Sequence, residues 1–175
     1  MTDQVRTLDD VLAYYPLLAG EDAEDFETIR QALLFELAPR SGYARIIANN
    51  LVELEWERRQ YHQMIHDVIK RSAKRAFTRY LADGHAGEIS QKVLEDLEAG
   101  FDGPVAERRR TELRLSEYGI DVGELVCQAW TSQAKLIGDL KAQLNDTEIR
   151  RRKLWKDFDK LQPQRADAIE DAEVL

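Results

Sequence analysis

From Ser41 to Leu81 the chain runs without a proline, and its only glycine, Gly42, stands in second place. The stretch is filled with Ala, Leu, Glu, Arg, Lys and Gln, the residues that lose least on entering a helix, so it predicts one long helix over 41–82. At ~1.5 Å per residue such a helix extends about 60 Å. A rod of that kind draws little stability from its own hydrogen bonds and needs a packing partner along its length. Ile47, Leu51, Leu54, Tyr61, Ile65 and Val68 recur at alternating steps of three and four, with Arg58 and Ser72 interrupting the series. That spacing is the seam of a coiled-coil pair, so the partner is itself a helix.

The remainder of the chain supplies one. Residues 122–161 carry a second stripe of Leu125, Ala129, Leu136, Leu140, Leu144, Leu154, Phe158 and Leu161, opened by Asp121 and stopped by Pro163. Shorter helices are expected over 7–15, 22–38, 88–99 and 104–117. Pro16 and Pro39 stop the first two, and Gly100 and Gly119 close the others. No run of β-branched and aromatic residues alternates between turn signals, so no sheet is expected. The fold class is all-α: two long helices as an antiparallel coiled-coil-like hairpin with short helices packed across it. Residues 1–162 form a single helical domain, followed by an acidic tail over 163–175.

An antiparallel register puts Glu53, Glu55 and Glu57 beside Arg150, Arg151 and Arg152, so acidic and basic patches face one another. Exposed ion pairs contribute at most about 1 kcal/mol each, and they fix register more than they stabilise. Two copies of the chain would satisfy the same pattern, and the sequence leaves both pairings open. A homo-oligomer is expected.

The net charge of −8 is unevenly spread: residues 1–40 carry nine acids and three bases, whereas 41–80 carry four acids and eight bases. Within the second group, no acid occurs from Val68 to Ala82. Lys70, Arg71, Lys74, Arg75 and Arg79 project onto one helix face, and Ile69, Ala73, Ala76, Phe77 and Tyr80 onto the other. An unbroken basic face suits a polyanion, and its lack of an aromatic ring favours contact with a phosphate backbone over the reading of bases. Arg150, Arg151, Arg152 and Lys153 form another basic cluster, and Arg108, Arg109, Arg110 and Arg114 a further one. Each of these two has acids nearby. The expectation is a non-enzymatic helical protein that binds nucleic acid through a basic face. The alternative is a protein adaptor or structural coiled coil in which Glu21, Asp22, Glu24, Asp25 and Glu27 neutralise that face.

Chemistry has little to stand on. His62 and His66 lie one turn apart, but they lack the adjacent glutamate of a zinc-protease helix and read as surface or seam residues. Cys127, the sole cysteine, has no Cys–His signature around it and reads as a small hydrophobe. There is no phosphate loop and no nucleophile elbow, so no catalytic residue, metal or cofactor is expected. Trp56 and Trp155 flank the stripes and are expected to pack against the N-terminal helices. No apolar run approaches the ~18 residues of a membrane span, and no secretory leader is legible, so the expected compartment is the cytoplasm with no membrane contact.

Several segments carry a resemblance. Leu18-Ala19-Gly20-Glu21-Asp22, Glu36-Leu37-Ala38-Pro39 and Glu55-Trp56-Glu57-Arg58-Arg59 combine a Gly-Glu-Asp helix start, a proline stop and a Trp-Arg-rich long helix. Tyr118-Gly119-Ile120-Asp121 and the segment from Arg150 to Asp157-Phe158-Asp159 complete the pattern. In these features the chain resembles a group of bacterial helical proteins of unassigned function, over roughly two thirds of its length and not in the middle, residues 82–115. The resemblance implies a helical fold and a bacterial source. It implies no catalytic or binding residue.

Overall fold

A computed structural model describes Leu8, Leu12, residues 15–80 and residues 103–161. These residues contain five helices and no strand: α1 (Ala23–Leu37), α2 (Gly42–Tyr80), α3 (Val105–Glu117), α4 (Val122–Ser132) and α5 (Ala134–Leu161). The expected helix over 88–99 and the acidic tail lie outside the described residues, as does the expected helix over 7–15 apart from Leu8, Leu12 and Tyr15.

Local chemistry sets each boundary. Asp22 caps α1 by accepting from the amides of Glu24 and Asp25, and both acids sit in the first turn, where the helix dipole favours negative charge. At the other end Ala38 turns left-handed (φ 42°) and donates its N–H to the Leu34 carbonyl, and Pro39 prevents continuation. Ser41 starts α2, its Oγ accepting from the Ala44 amide at 3.1 Å. Pro104 sits just before α3, one position earlier than the expected first helical turn. α3 closes in a Schellman motif. Gly119 adopts φ 74°, and the amides of Gly119 and Ile120 donate to the carbonyls of Ser116 and Leu115. The apolar contact that accompanies this motif is also present, since Ile120 and Leu115 share a buried cluster. One residue later Asp121 caps α4 through the Gly123 amide at 2.7 Å.

The described chain divides into two compact units. The first comprises residues 15–60 and 144–161, the second residues 61–80 and 103–143. In the first unit, Leu37, Ala44, Ile47, Ala48, Leu51 and Phe158 form one core, with Leu154 and Leu161 against it. Phe26, Val52 and Trp56 form another. Trp56 meets Phe26 edge-on at 5.4 Å, so the expected packing of Trp56 on an N-terminal helix is found. Trp155 differs: it is 41% exposed, because Phe158 and Leu154 take the inward positions of its helix. Glu57 lies beside Thr147 and Arg150, while residues 44–51 lie beside Phe158. Numbers climb on α2 as they fall on α5, so the two segments run antiparallel within this unit.

In the second unit Phe77, Leu115, Ile120 and Leu125 make the core, supported by Ala76, Tyr80 and Val122. The Ser72 and Ser132 hydroxyls meet at 3.1 Å. Because Phe77 sits with Leu125 and Ser72 with Ser132, α2 and α4 are antiparallel here as well.

The expected continuous helix over 122–161 is corrected by the structure. It breaks at Gln133, whose φ of −110° and ψ of 15° belong to neither flanking helix. Two hydroxyls just before the break turn back on their own helix: Thr131 Oγ1 donates to the Cys127 carbonyl and Ser132 Oγ to that of Ala129. Such back-bonding competes with the helical ladder and bends it. The break also rotates the inward face by one residue. Ile137 is 2% exposed and Leu136 is 45% exposed, the reverse of the stripe expected from an unbroken helix. From there Ile137, Leu140, Leu144, Thr147, Arg151, Leu154, Phe158 and Leu161 keep alternating steps of three and four, and none is fully exposed.

Candidate nucleic-acid interface

The last three turns of α2 carry the basic face. Its apolar side is held firmly: Phe77 is fully buried, Ala73 nearly so, and the cluster with Leu115, Ile120 and Leu125 fixes the rotation of the helix. The opposite side is thereby turned to solvent. Arg71, Arg75, Thr78 and Arg79 are exposed, while Lys70 and Lys74 are half-buried. Arg71, Lys74, Arg75, Thr78 and Arg79 line a shallow open groove.

Two hydrogen bonds shape this surface. Arg71 Nε donates to the Asp67 carbonyl at 3.2 Å, and Thr78 Oγ1 donates to the Lys74 carbonyl at 3.0 Å. The nearest preceding acid on the helix, Asp67, accepts from Gln63 and lies 3.6 Å from His66. Among the described residues no carboxylate pairs with Arg71, Arg75 or Arg79. Four of the five N-terminal acids named above have partners within their own unit. Asp25 pairs with Arg59 at 2.7 Å, Glu27 with Arg30 at 3.1 Å, Asp22 caps α1, and Glu21 accepts from the Leu18 amide.

The cluster from Arg150 to Lys153 has a different character. Arg150 donates to Glu57 at 2.8 Å and to Thr147 Oγ1 at 3.0 Å. Arg151 and Arg152 both bind Glu148, whose carboxyl their hydrogen bonds pull down to about 2. The meeting expected between the glutamates of α2 and these arginines is thus found for Glu57 and Arg150. Glu55 instead pairs with Arg58 on its own helix, and Arg151 and Arg152 pair with Glu148 on theirs. Lys153 is exposed at the rim of a groove with Asn50, Glu53, Leu54, Glu57, Arg150 and Leu154. Burial, and then the neighbouring Glu57, raise the Glu53 carboxyl above its ordinary range. Positive charge at this site is largely returned to local carboxylates.

Arg108, Arg109, Arg110 and Arg114 are exposed on α3, interspersed with Glu107 and Glu112. His62 and His66 are exposed, and no group of three or more metal-ligating side chains occurs among the described residues. Cys127 is exposed, so the expectation of a small buried hydrophobe does not hold: Leu125 and Ala129 take the inward positions of α4. No described helix is long and apolar enough to cross a membrane.

Sequence reading missed Thr147. It is fully buried, donates to Glu57 and accepts from Arg150, and so joins the two helices of its unit at a polar position. Its place three residues after Leu144 and seven before Leu154 was the available signal. Comparison with protein-family models, curated protein sequences and solved structures finds no match to the chain.

Proposed function

We propose that the chain is a non-enzymatic helical interaction protein of the cytoplasm that binds nucleic acid through the basic face of α2. The observation that carries this reading is the row of Arg71, Arg75 and Arg79, exposed on one groove without a carboxylate partner among the described residues. Guanidinium groups carried in a row on one helix suit phosphate oxygens, which they approach with paired N–H donors. The antiparallel course of α2 beside α5 in one unit and beside α4 in the other supports a coiled-coil-like hairpin as the scaffold for this face. Arg150–Lys153 act as an auxiliary contact at most, because three of the four already hold carboxylates.

The test is titration of labelled DNA and RNA, single-stranded and duplex, at low and moderate salt. Loss of binding on replacing Lys70, Arg71, Lys74, Arg75 and Arg79 by Ala supports the assignment; unchanged binding by that variant refutes it.

A second reading, a protein adaptor or self-associating coiled coil, is favoured by one observation. Phe35 is 86% exposed, and Met64 and Trp155 also reach solvent. It predicts a dimeric or larger solution mass, a partner bound with no nucleic acid present, and no retention on a polyanion column.

A further inference from the structure

Resting on that reading, we infer that the partner of the α2 face is the backbone of a duplex, contacted through separate phosphates of one strand without base readout. Arg71, Arg75 and Arg79 stand at i, i+4 and i+8, so they rise along α2 in steps of about 6 Å. Phosphates of one strand succeed each other every ~3.4 Å along the axis of B-form DNA. The arginine step is wider than the phosphate step, so each guanidinium meets its own phosphate and none competes for a neighbour's. Successive i+4 positions turn by only about 40° on the helix, which keeps the three on a single slowly winding stripe. Asp67 bounds the stripe at its start.

The choice of duplex over single strand rests on what the groove lacks. Binders of single strands stack successive bases on aromatic rings. The two rings on this part of α2 are withheld: Phe77 is fully buried in the core, and Tyr80 packs against the same cluster. Among the described residues, the groove is lined by arginine, lysine and threonine. Side chains of that kind read charge density, which is higher on a duplex than on a single strand. Among the described residues the groove offers no amide or carboxylate for the edges of adenine or cytosine.

The experiment uses the full chain with a labelled 20-base-pair DNA duplex and one of its strands, over a series of KCl concentrations. The duplex is expected to bind more tightly at every salt. Three phosphate contacts give a log–log salt slope of about −2.7 on B-form DNA, so a fourfold rise in salt weakens binding about 40-fold. R71Q/R75Q/R79Q is expected to remove most of that slope, and R71K/R75K/R79K to retain it. The lysine variant keeps the charges, so a retained slope ties the effect of the glutamine variant to charge, and the far-ultraviolet circular dichroism of the glutamine variant shows that it folds. Equal or tighter binding of the single strand, or a duplex affinity that follows base sequence, overturns the duplex assignment while leaving nucleic-acid binding intact. Duplex binding with a slope unaltered in the glutamine variant overturns the arginine row. Absence of binding to either strand form overturns the function proposed above as well.

Discussion

The break at Gln133 makes a prediction that separates two neighbouring residues. On an unbroken helix Leu136 would face the partner and Ile137 would flank it; in the structure Ile137 is 2% exposed and Leu136 is 45% exposed. Truncating a buried isoleucine to alanine removes its transfer energy and leaves a cavity, together about 2–5 kcal/mol. Leu136 has roughly half its surface in water, so its truncation forfeits about half of the ~1.5–3 kcal/mol that full burial would supply, or about 1 kcal/mol. Helix propensity does not reverse the order, since alanine gains only a few tenths of a kcal/mol over either residue. I137A is therefore expected to lose at least ~1 kcal/mol more than L136A. With a urea dependence of about 2 kcal/mol per molar, the midpoints of the two variants differ by ~0.5 M or more. Urea unfolding followed by far-ultraviolet circular dichroism makes the comparison. A larger loss for L136A would mean that the inward face follows a continuous helix, and the account of Thr131, Ser132 and Gln133 would fall.

Three further outcomes follow from the described contacts. Glu148 has its folded carboxyl lowered to about 2 by Arg151 and Arg152, so its contribution to stability is complete above the ordinary carboxylate range and is lost as pH falls from about 4.5 toward 2. E148Q is expected to have a flatter acid limb than wild type in stability measured from pH 5 to pH 2; identical limbs would contradict the pairing. Glu53 is perturbed in the opposite sense, since burial and Glu57 raise its carboxyl, so the folded state is penalised once Glu53 ionises and recovers as pH falls through the raised value. E53Q is expected to stabilise by a few tenths of a kcal/mol at pH 7, with the gain gone at pH 4, when urea midpoints are compared. Loss of the α1 cap in D22A should cost about 0.5–2 kcal/mol, and a thermal midpoint unchanged from wild type would refute the role of Asp22.

The helical class was legible because breakers and apolar spacing act locally. Pro39, Ser41, Gly119 and Asp121 each end or start a helix through atoms a few residues away, so those boundaries fall within a residue or two of expectation. The basic face was legible for the same reason: Phe77 and Arg75 take opposite sides of any straight helix, whatever surrounds it. What escaped depended on energy balances among neighbours. Gln133 carries no breaker signal of its own, and only the back-bonding hydroxyls of Thr131 and Ser132 mark the site. The pairing of Arg151 and Arg152 with Glu148 rather than across to α2 reflects the low entropy cost of partners one turn apart, which residue spacing allowed but did not select. Trp155 and Cys127 lie on flanks, where a rotation of a few tens of degrees decides between core and water.

The first unit is discontinuous along the chain: residues 15–60 join residues 144–161, with the second unit between them. During synthesis the early half leaves the ribosome first yet closes last. At ~5–20 residues per second, the apolar face of Ala44, Ile47, Ala48 and Leu51 waits roughly 5–21 s before Phe158 arrives. The second unit is contiguous and completes its core while the first is still open. Nascent-chain arrest before residue 144 should therefore yield a folded later unit beside an exposed earlier strip, a natural landing place for a chaperone. The order of birth along this polypeptide is the reverse of its order of closure.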